Sequence, residues 1–358
     1  MHPRAHPLET VLGIETSCDD TACAVLARDG RVLSSVVSSQ LAAHRPFGGV
    51  VPEIASREHL VNWPSVSAEA LARAGIALAE VGSVAATRGP GLIGALLVGL
   101  SLGRSIAWSL GRPFHAVHHL EGHLYSPFLR ADGRPAAEVP ELFDALVVSG
   151  GHSSIFHVDR GRVETVAETR DDAMGEVFDK VGKRLGLPYP QGPLVDRLAE
   201  AGDPAAQPLA VATCSDGSLD FSFSGLKSQA ILAIEKLERS GVRWPDGATR
   251  AEEAPAALLD LLAGFRAAAV GQVLDRLTRL HRDRPVELLA VSGGVAANRL
   301  LRRELVVWAE EQGVDLRLVE LTHSGDNAAM IAWAAILRER RGLSDDPLEV
   351  DAASRVAI

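Results

Sequence analysis

Aromatic side chains are scarce. Phe, Trp and Tyr together make up 4% of the 358 residues, within a hydrophobic share of 47%. The interior must therefore be built from Ala, Val, Leu and Gly, which suits layered strands and helices of the α/β kind. Cysteine is scarce too. Cys18, Cys23 and Cys214 form no C-x-x-C pair, and three cysteines are no disulfide framework, so a reducing cytoplasm is the expected location. Positive charge is not in excess: 36 Lys and Arg against 46 Asp and Glu leave −10. Such a chain does not grip nucleic acid by global charge alone, although a local basic patch or a partner can supply one. The N-terminus, MHPRAHPLET, lacks an apolar signal core. Long apolar runs are missing as well. The best candidate, 91–111, is broken at Arg104 after roughly 13 apolar or small residues, short of the ~18 that a membrane span needs. We expect a buried helix there and no membrane contact. Gly99 and Gly103, spaced G-x-x-x-G, permit close packing of that helix.

What is present is a repeat. ETSCDDTACAVLARDGRV, 15 to 32, and LVVSGGHSSIFHVDRGRV, 146 to 163, share one pattern: strand, small polar turn, strand, second turn ending in Gly-Arg-Val. Self-similarity at so long a period predicts a duplicated domain, and the length suffices for two. Helical character follows at 53–80. The strand VGSVAAT, 81 to 87, leads into Arg88-Gly89-Pro90-Gly91 and the apolar helix; a short strand, FHAVHH, then delivers HHLEGH. The polar, Pro- and Ala-rich stretch 130–140 is taken as the link between domains 1–135 and 136–358, with a last helix able to pack back on the first. In the second half, 238–255 is loop-like, and 286–305 is a strand, a Gly-Gly turn and an amphipathic helix starting near Val295. The expected fold class is α/β, a duplicated actin-like ATPase (ASKHA) fold with two α/β domains around a central cleft. In such folds, backbone N–H groups of hairpin turns hold nucleotide phosphates.

HHLEGH, 118 to 123, invites comparison with the zinc-protease motif H-E-x-x-H, whose two histidines share one helix face. His119 and His123 have that spacing. The carboxylate, Glu121, comes one position late, and on a helix it points about 200° from His119. Either the histidines are not ligands, or the metal serves other chemistry.

Nine motifs occur in order: GIETSCDD, GGVVPEIASR, GPGLIGALLVG, HHLEGH, VSGGH, FDKVGKRLGL, FSFSGLK, SGGVAANR and GDNAAMIA. From about residue 11 to about residue 337 the chain resembles the universal tRNA threonylcarbamoyladenosine transferase family, formerly described as O-sialoglycoprotein endopeptidases. The resemblance implies one divalent metal, iron(II) with zinc(II) as alternative, on His119, His123 and Asp326. Two imidazoles and a carboxylate leave open positions for water or substrate, a Lewis-acid arrangement. The chain departs from the family in reading HSGDN, where a Cys-Thr pair usually precedes Asp-Asn. His323 is then a bystander or an additional metal neighbour. The resemblance also implies that Val147, Val148, Ser149, Gly150 and Gly151 line the substrate phosphates. Asp179, Gly192, Asp196 and Asn298 match positions around the adenosine of an ATP- or AMP-type nucleotide. Pro-Gln-Gly-Pro at 190–193 departs from the usual Pro-Gly-Gly-Pro. Glu15 and Asp19, on the first hairpin, are candidates to orient a metal-bound water or deprotonate an amine. Asp19 is the catalytic candidate, and equally a turn-former. Lys227 is a phosphate or partner contact, or a solvated charge. Cys18 is read as packing, since nothing nearby activates it.

The activity that the resemblance implies is transfer of threonylcarbamoyl from threonylcarbamoyl-AMP to the exocyclic amine of the adenosine 3′ of the anticodon, in tRNAs reading codons that begin with A. The implied partners are tRNA, a catalytically inactive paralogue as heterodimer partner and a small ATPase. The basic runs 180–184 and 299–303 are candidate tRNA patches, or ordinary solvated helix faces. The competing readings are a metallo-endopeptidase and a non-catalytic ATP-binding scaffold.

Overall fold

The computed structural model describes residues 9–211, 213–214 and 216–358; residues 1–8, most of the stretch read above as lacking a signal core, lie outside it. The chain divides into two units, 1–140 with 319–358, and 141–318.

In the first unit β1 (Thr10–Glu15), β2 (Asp20–Ala27), β3 (Val32–Ser39), β4 (Ser83–Gly89) and β5 (Phe114–His118) form one sheet in the order β3-β2-β1-β4-β5. The first three strands are an antiparallel meander, and β4 and β5 run parallel to β1. In the second unit β6 (Leu142–Val148), β7 (Ser153–Asp159), β8 (Arg162–Glu168), β9 (Leu288–Ser292) and β10 (Asp315–Leu318) repeat this plan, in the order β10-β9-β6-β7-β8. Even the irregularity recurs: the meanders shift register between Val25 and Leu26 and between Ile155 and Phe156. The duplication read from the two Gly-Arg-Val turns is thus a duplicated sheet. All six residues of β1 are buried, so this central strand shows no alternation of apolar and polar residues.

Helices α1 (Leu41–His44), α2 (Pro52–Ala74), α3 (Ile93–Leu110) and α4 (His119–Tyr125) belong to the first unit. Helices α5 (Met174–Arg184), α6 (Gly192–Leu198), α7 (Ser224–Arg239), α8 (Ala256–Asp283) and α9 (Arg299–Gln312) belong to the second. The final helix, α10 (Ala328–Arg340), returns to the first. The last helix packs back on the first unit, and the whole stretch from Val319 on goes with it. The reason lies in α10, where every residue from Ala328 to Ile336 is buried. A helix apolar all round must be covered all round, and α10 packs on β1, β2 and α4. Gly13 of β1 makes this approach possible, since a Cβ there would lie 2.2 Å from the Ala328 carbonyl oxygen.

The apolar helix α3, expected to be buried, is buried along one face only. Ala95, Leu96, Gly99, Leu100, Gly103 and Ala107 face the sheet, while Ile93, Leu97 and Trp108 are exposed. By length and composition alone, α3 and α8 are long and apolar enough to cross a membrane. The close packing expected at the glycines is present. A Cβ on Gly99 would lie 2.2 Å from Thr16 Oγ1, and one on Gly103 2.9 Å from Ala86 Cβ. The helix expected from Val295 begins instead at Arg299. Residues 294–297 make a 3₁₀ turn, and the Asn298 side chain caps the helix by accepting from Leu301 N.

Candidate functional site

The carboxyl ends of the adjacent parallel strands β1, β4 and β5 bring Glu15, Thr87 and His118 side by side. Such ends are where open α/β sheets place their ligands. Helix α4 starts directly after β5 and presents His119 and His123 one turn apart, with ring centroids separated by 4.8 Å and ring planes at 90°. From the loop before α10 comes Asp326. Its Oδ1 lies 3.5 Å from His119 Nε2 and 3.2 Å from His123 Nε2. One ligand atom from each of these three residues lies within 4.8 Å of the others. The structure thereby brings together the three expected ligands.

Glu15 stands behind His119. It is fully buried, its Oε2 accepting from Thr87 Oγ1 at 2.6 Å and lying 3.1 Å from His119 Nδ1. With Nδ1 engaged, Nε2 is the nitrogen turned toward Asp326, the carboxylate–histidine arrangement that orients metal ligands. Burial opposes a charge on His119, but Asp326 and Glu15 override it and raise the imidazole to about 9. Burial also pushes Glu15 up, yet the neighbouring His119 more than offsets this and holds the carboxyl below its ordinary value. Two imidazole nitrogens and a carboxylate oxygen converge here with a second carboxylate behind one ring, a donor set that fits a divalent cation. Glu15 thus engages Thr87 and the His119 ring, the place of an outer partner to the three converging residues. Glu15→Gln should weaken metal binding by about 10–100-fold, measured by competition with a chromogenic chelator; an unchanged affinity would remove Glu15 from the site.

Asp19, the catalytic candidate, lies in the β1–β2 turn, its carbonyl accepting from Gln40 N at 2.9 Å, and its carboxylate is not among the converging three. The sequence reading missed its neighbour. Burial pushes the Asp20 carboxyl up to about 7 against a hydrogen bond from Ser39, with Asp19 and Asp326 adding to the shift. The only signal was a doublet of acids in a hairpin turn. Burial, reinforced by Asp19, pushes the Cys18 thiol up, in line with a packing role. His323 is buried in a 3₁₀ turn with neither ring nitrogen hydrogen-bonded, outside the ligand cluster. Glu121 pairs with Arg338 and Arg341, each at 3.3 Å.

His118 is the N-cap of α4. Its Nδ1 accepts from Leu120 N at 3.2 Å and its Nε2 lies 3.1 Å from the Val356 carbonyl. Burial lowers its pKa to about 4, and protonation would set an N–H against the Leu120 amide. An unfolded histidine titrates near 6.5, so the unfolded chain binds the proton more readily. Stability from this residue is present above about 6.5 and lost as pH falls toward about 4, to an extent of up to about 3 kcal/mol. Urea unfolding of metal-free protein between pH 7 and 4 should show this loss, reduced in His118→Asn; equal pH slopes would refute it.

In the second unit a cavity of roughly 440 Å³ is lined by Gly150, Asp179, Gly192, Asp196 and Asn298, with Phe178 and Val295 among its apolar walls. That volume is in the range of small-ligand sites. Asp179 Oδ1 accepts from Gly192 N at 2.7 Å, at the start of α6. Asp196 Oδ1 accepts from Asn298 Nδ2 at 2.7 Å and from Arg266 at 3.2 Å. Five of the expected nucleotide-site residues thus share one pocket. Val147 and Val148 do not reach it, because their side chains are buried in the core strand β6. Ser149 is half of a turn, its Oγ accepting from His152 N at 3.1 Å. At Gly150 and Gly151 nothing lies within 4 Å of where a Cβ would be, which leaves their backbone approachable. Gln191, the departure from Pro-Gly-Gly-Pro, is buried against Gly182 of α5 rather than lining the pocket.

Arg266 escaped the sequence reading, though a lone arginine inside the apolar run LLAGFRAAAV was a signal. Several other cations are held within the unit. Lys227 pairs with Asp172, Lys180 with Asp172 and Glu176, Arg184 with Glu238, and Arg299 with Glu200. The two basic runs are therefore largely spent on local ion pairs.

The sequence profile of the tRNA N6-adenosine threonylcarbamoyltransferase family matches residues 31–333. A protein of that name from Sorangium cellulosum is 44% identical over 357 residues, covering 97% of this chain and 96% of its own. One from Geobacter sulfurreducens is 48% identical over 324 residues, covering 90% and 89%. Among solved structures, component A of the (R)-2-hydroxyglutaryl-CoA dehydratase of Acidaminococcus fermentans aligns with a TM-score of 0.51 at 15% identity, over 93% of this chain and 99% of that one. HypF of T. kodakarensis gives 0.61 at 14%, over 97% of this chain and 50% of that one. Such distant likeness speaks for the fold alone, the duplicated actin-like α/β fold. The curated likeness spans nearly the whole chain, and this protein is a transferase belonging to the tRNA N6-adenosine threonylcarbamoyltransferase family.

Proposed function

We propose that the protein transfers threonylcarbamoyl from threonylcarbamoyl-AMP to the exocyclic amine of the adenosine 3′ of the anticodon, in tRNAs reading codons that begin with A, and releases AMP. The observation that carries this reading is the convergence of His119, His123 and Asp326, backed by Glu15, in a chain of this family. These three residues would hold iron(II) or zinc(II), which when bound supplies positive charge and Lewis acidity for an acyl phosphate. The pocket of the second unit takes the adenosine of the adenylate, with Asp179 and Asp196 accepting from ribose hydroxyls and Asn298 near the base. The open backbone of Gly150 and Gly151 offers N–H donors to the phosphate as it becomes a leaving group. The amine nitrogen bonds to the carbamoyl carbon, the carbon–oxygen bond to phosphate breaks, and AMP departs with the electron pair. The amine proton passes to the Asp19–Asp20 pair, whose second carboxyl is held near neutrality. Because the aryl amine is a weak nucleophile, positioning supplies much of the rate.

A chain of charge −10 with its basic runs in local pairs draws on partners for tRNA affinity. We assign these to the inactive paralogue and the small ATPase, in the cytoplasm. Exposed Leu60 and Val61 on α2 and Leu97 and Trp108 on α3 suit a heterodimer face.

A zinc-protease mechanism would need a base beside the first histidine, and Glu121 is bound to two arginines instead. Glu121→Gln should therefore leave transfer unaltered and cost stability only, about 1–3 kcal/mol for the two ion pairs weakened, since Arg338 keeps Asp345 and Arg341 keeps the Leu337 carbonyl; loss of turnover at unchanged stability would reinstate a catalytic role. The function itself is tested by incubating the anaerobically purified protein and its partners with threonylcarbamoyl-AMP and unmodified tRNA. Mass spectrometry of the tRNA digest should show threonylcarbamoyladenosine. Metal-loaded protein that forms none would sink the proposal.

A further inference from the structure

After α10 the chain makes a short excursion along the edge of the first unit's sheet. Asp345 pairs with Phe114 of β5, and its carboxylate accepts from Ala116 N at 2.9 Å. Arg104 of α3 donates to the carbonyls of Val350 and Leu348. The segment then crosses the carboxyl ends of β4 and β5. Ala353 N donates to Arg88 O at 2.9 Å, and Gly91 N donates to Ser354 O at 3.3 Å. Gly89 admits it, because a Cβ there would lie 2.1 Å from Ala353 O. The crossing ends at His118, whose ring meets Val356 O.

We propose that residues 353–356 are a positioning strap for the metal centre and act through His118. The two contacts of that ring require each other. Nδ1 accepts from an N–H, so it carries no hydrogen; the hydrogen is on Nε2, which donates to Val356 O. The carbonyl of the strap thus selects the tautomer that can cap α4. Helix α4 has only seven residues, too few to hold its own geometry, and its first residue is the ligand His119. Through the cap, the strap fixes the direction in which α4 offers His119 and His123 to Asp326. The strap also packs on the Gly89–Gly91 turn, whose next amide, Leu92 N, donates to Ser17 O at 2.8 Å. Ser17 Oγ is in turn 3.2 Å from His119 Nδ1. The strap therefore braces the histidine from two sides.

This inference rests on the metal reading of the three ligands, and the experiment separates the two. Metal affinity is measured at pH 7 by chelator competition on wild type, His119→Ala, His118→Asn, the chain lacking residues 353–358, and the combination of the last two. Hydrogen exchange of the peptide covering α4 is followed in parallel. Asparagine can cap α4 but is too short to reach Val356, so it severs the strap and spares the cap. We expect His118→Asn and the truncation each to weaken binding about 10-fold or more, as loss of outer-shell partners does. Because both remove the His118–Val356 contact and the truncation removes the other strap contacts besides, the double variant should lose no more than the more affected single one. Protection of the α4 amides should fall while that of β1 and β6 is retained. Unchanged affinity in His118→Asn, or additive losses in the double variant, would overturn the strap while leaving the metal site standing. A wild type that binds metal no better than His119→Ala would overturn both.

Discussion

Replacing His119 by alanine should abolish metal binding and threonylcarbamoyl transfer together while leaving the fold intact. The ring is the meeting point of the site, with Glu15 on Nδ1 and Asp326 facing Nε2. Its removal strips one of three donors, takes the imidazole from Glu15 and leaves Asp326 with one facing imidazole, that of His123, where it had two. The loss of affinity should exceed the about 10–100-fold typical of outer partners. The variant keeps its stability in part, because Glu15 retains Thr87 and the Ser17 amide. Metal content by mass spectrometry, transfer by tRNA digestion and the melting temperature together check this. A variant that keeps its metal, or loses it yet transfers at the wild-type rate, would contradict the site.

The second large effect is expected in the other unit. Arg266→Met should destabilise the protein by about 3–5 kcal/mol, the cost of removing one member of a buried ion pair. The Arg266 guanidinium donates to Asp196 Oδ1 at 3.2 Å, to Asp196 O at 2.8 Å and to Ala199 O at 3.2 Å. It therefore serves the carboxylate that lines the pocket and two carbonyls at the C-terminal end of α6, one in its last turn and one at its C-cap. Methionine fills much of the space but leaves Asp196 and two carbonyls in need of donors. Lysine, a point charge without the planar fork, should rescue only part of the loss. With Asp196 released, the grip on Asn298 loosens too, and AMP affinity should fall. Urea melts and calorimetry with AMP decide the matter; a stability change within about 0.5 kcal/mol, the range of ordinary surface substitutions, would show that Arg266 is dispensable.

The parts legible in the sequence are those set by neighbours along the chain. His119 and His123 lie one turn apart because a helix of any origin places positions four apart on one face, and the two hairpins follow from their turn residues. The motif order was enough to identify the family, and with it Asp326 and the Asp179–Asn298 set. Val147 and Val148 were placed at the phosphates by the same route, yet as members of a central strand they point into the core. What only the tertiary structure decided are contacts across long separations. Glu15 meets His119 over 104 positions, and His123 meets Asp326 over 203. These depend on the strand order β1-β4-β5 and on where α10 comes to rest, and no local pattern encodes either. Arg266 and the strap at His118 belong to the same class. Their chemistry is that of backbone carbonyls and buried charge, which exists only once the chain has folded around them.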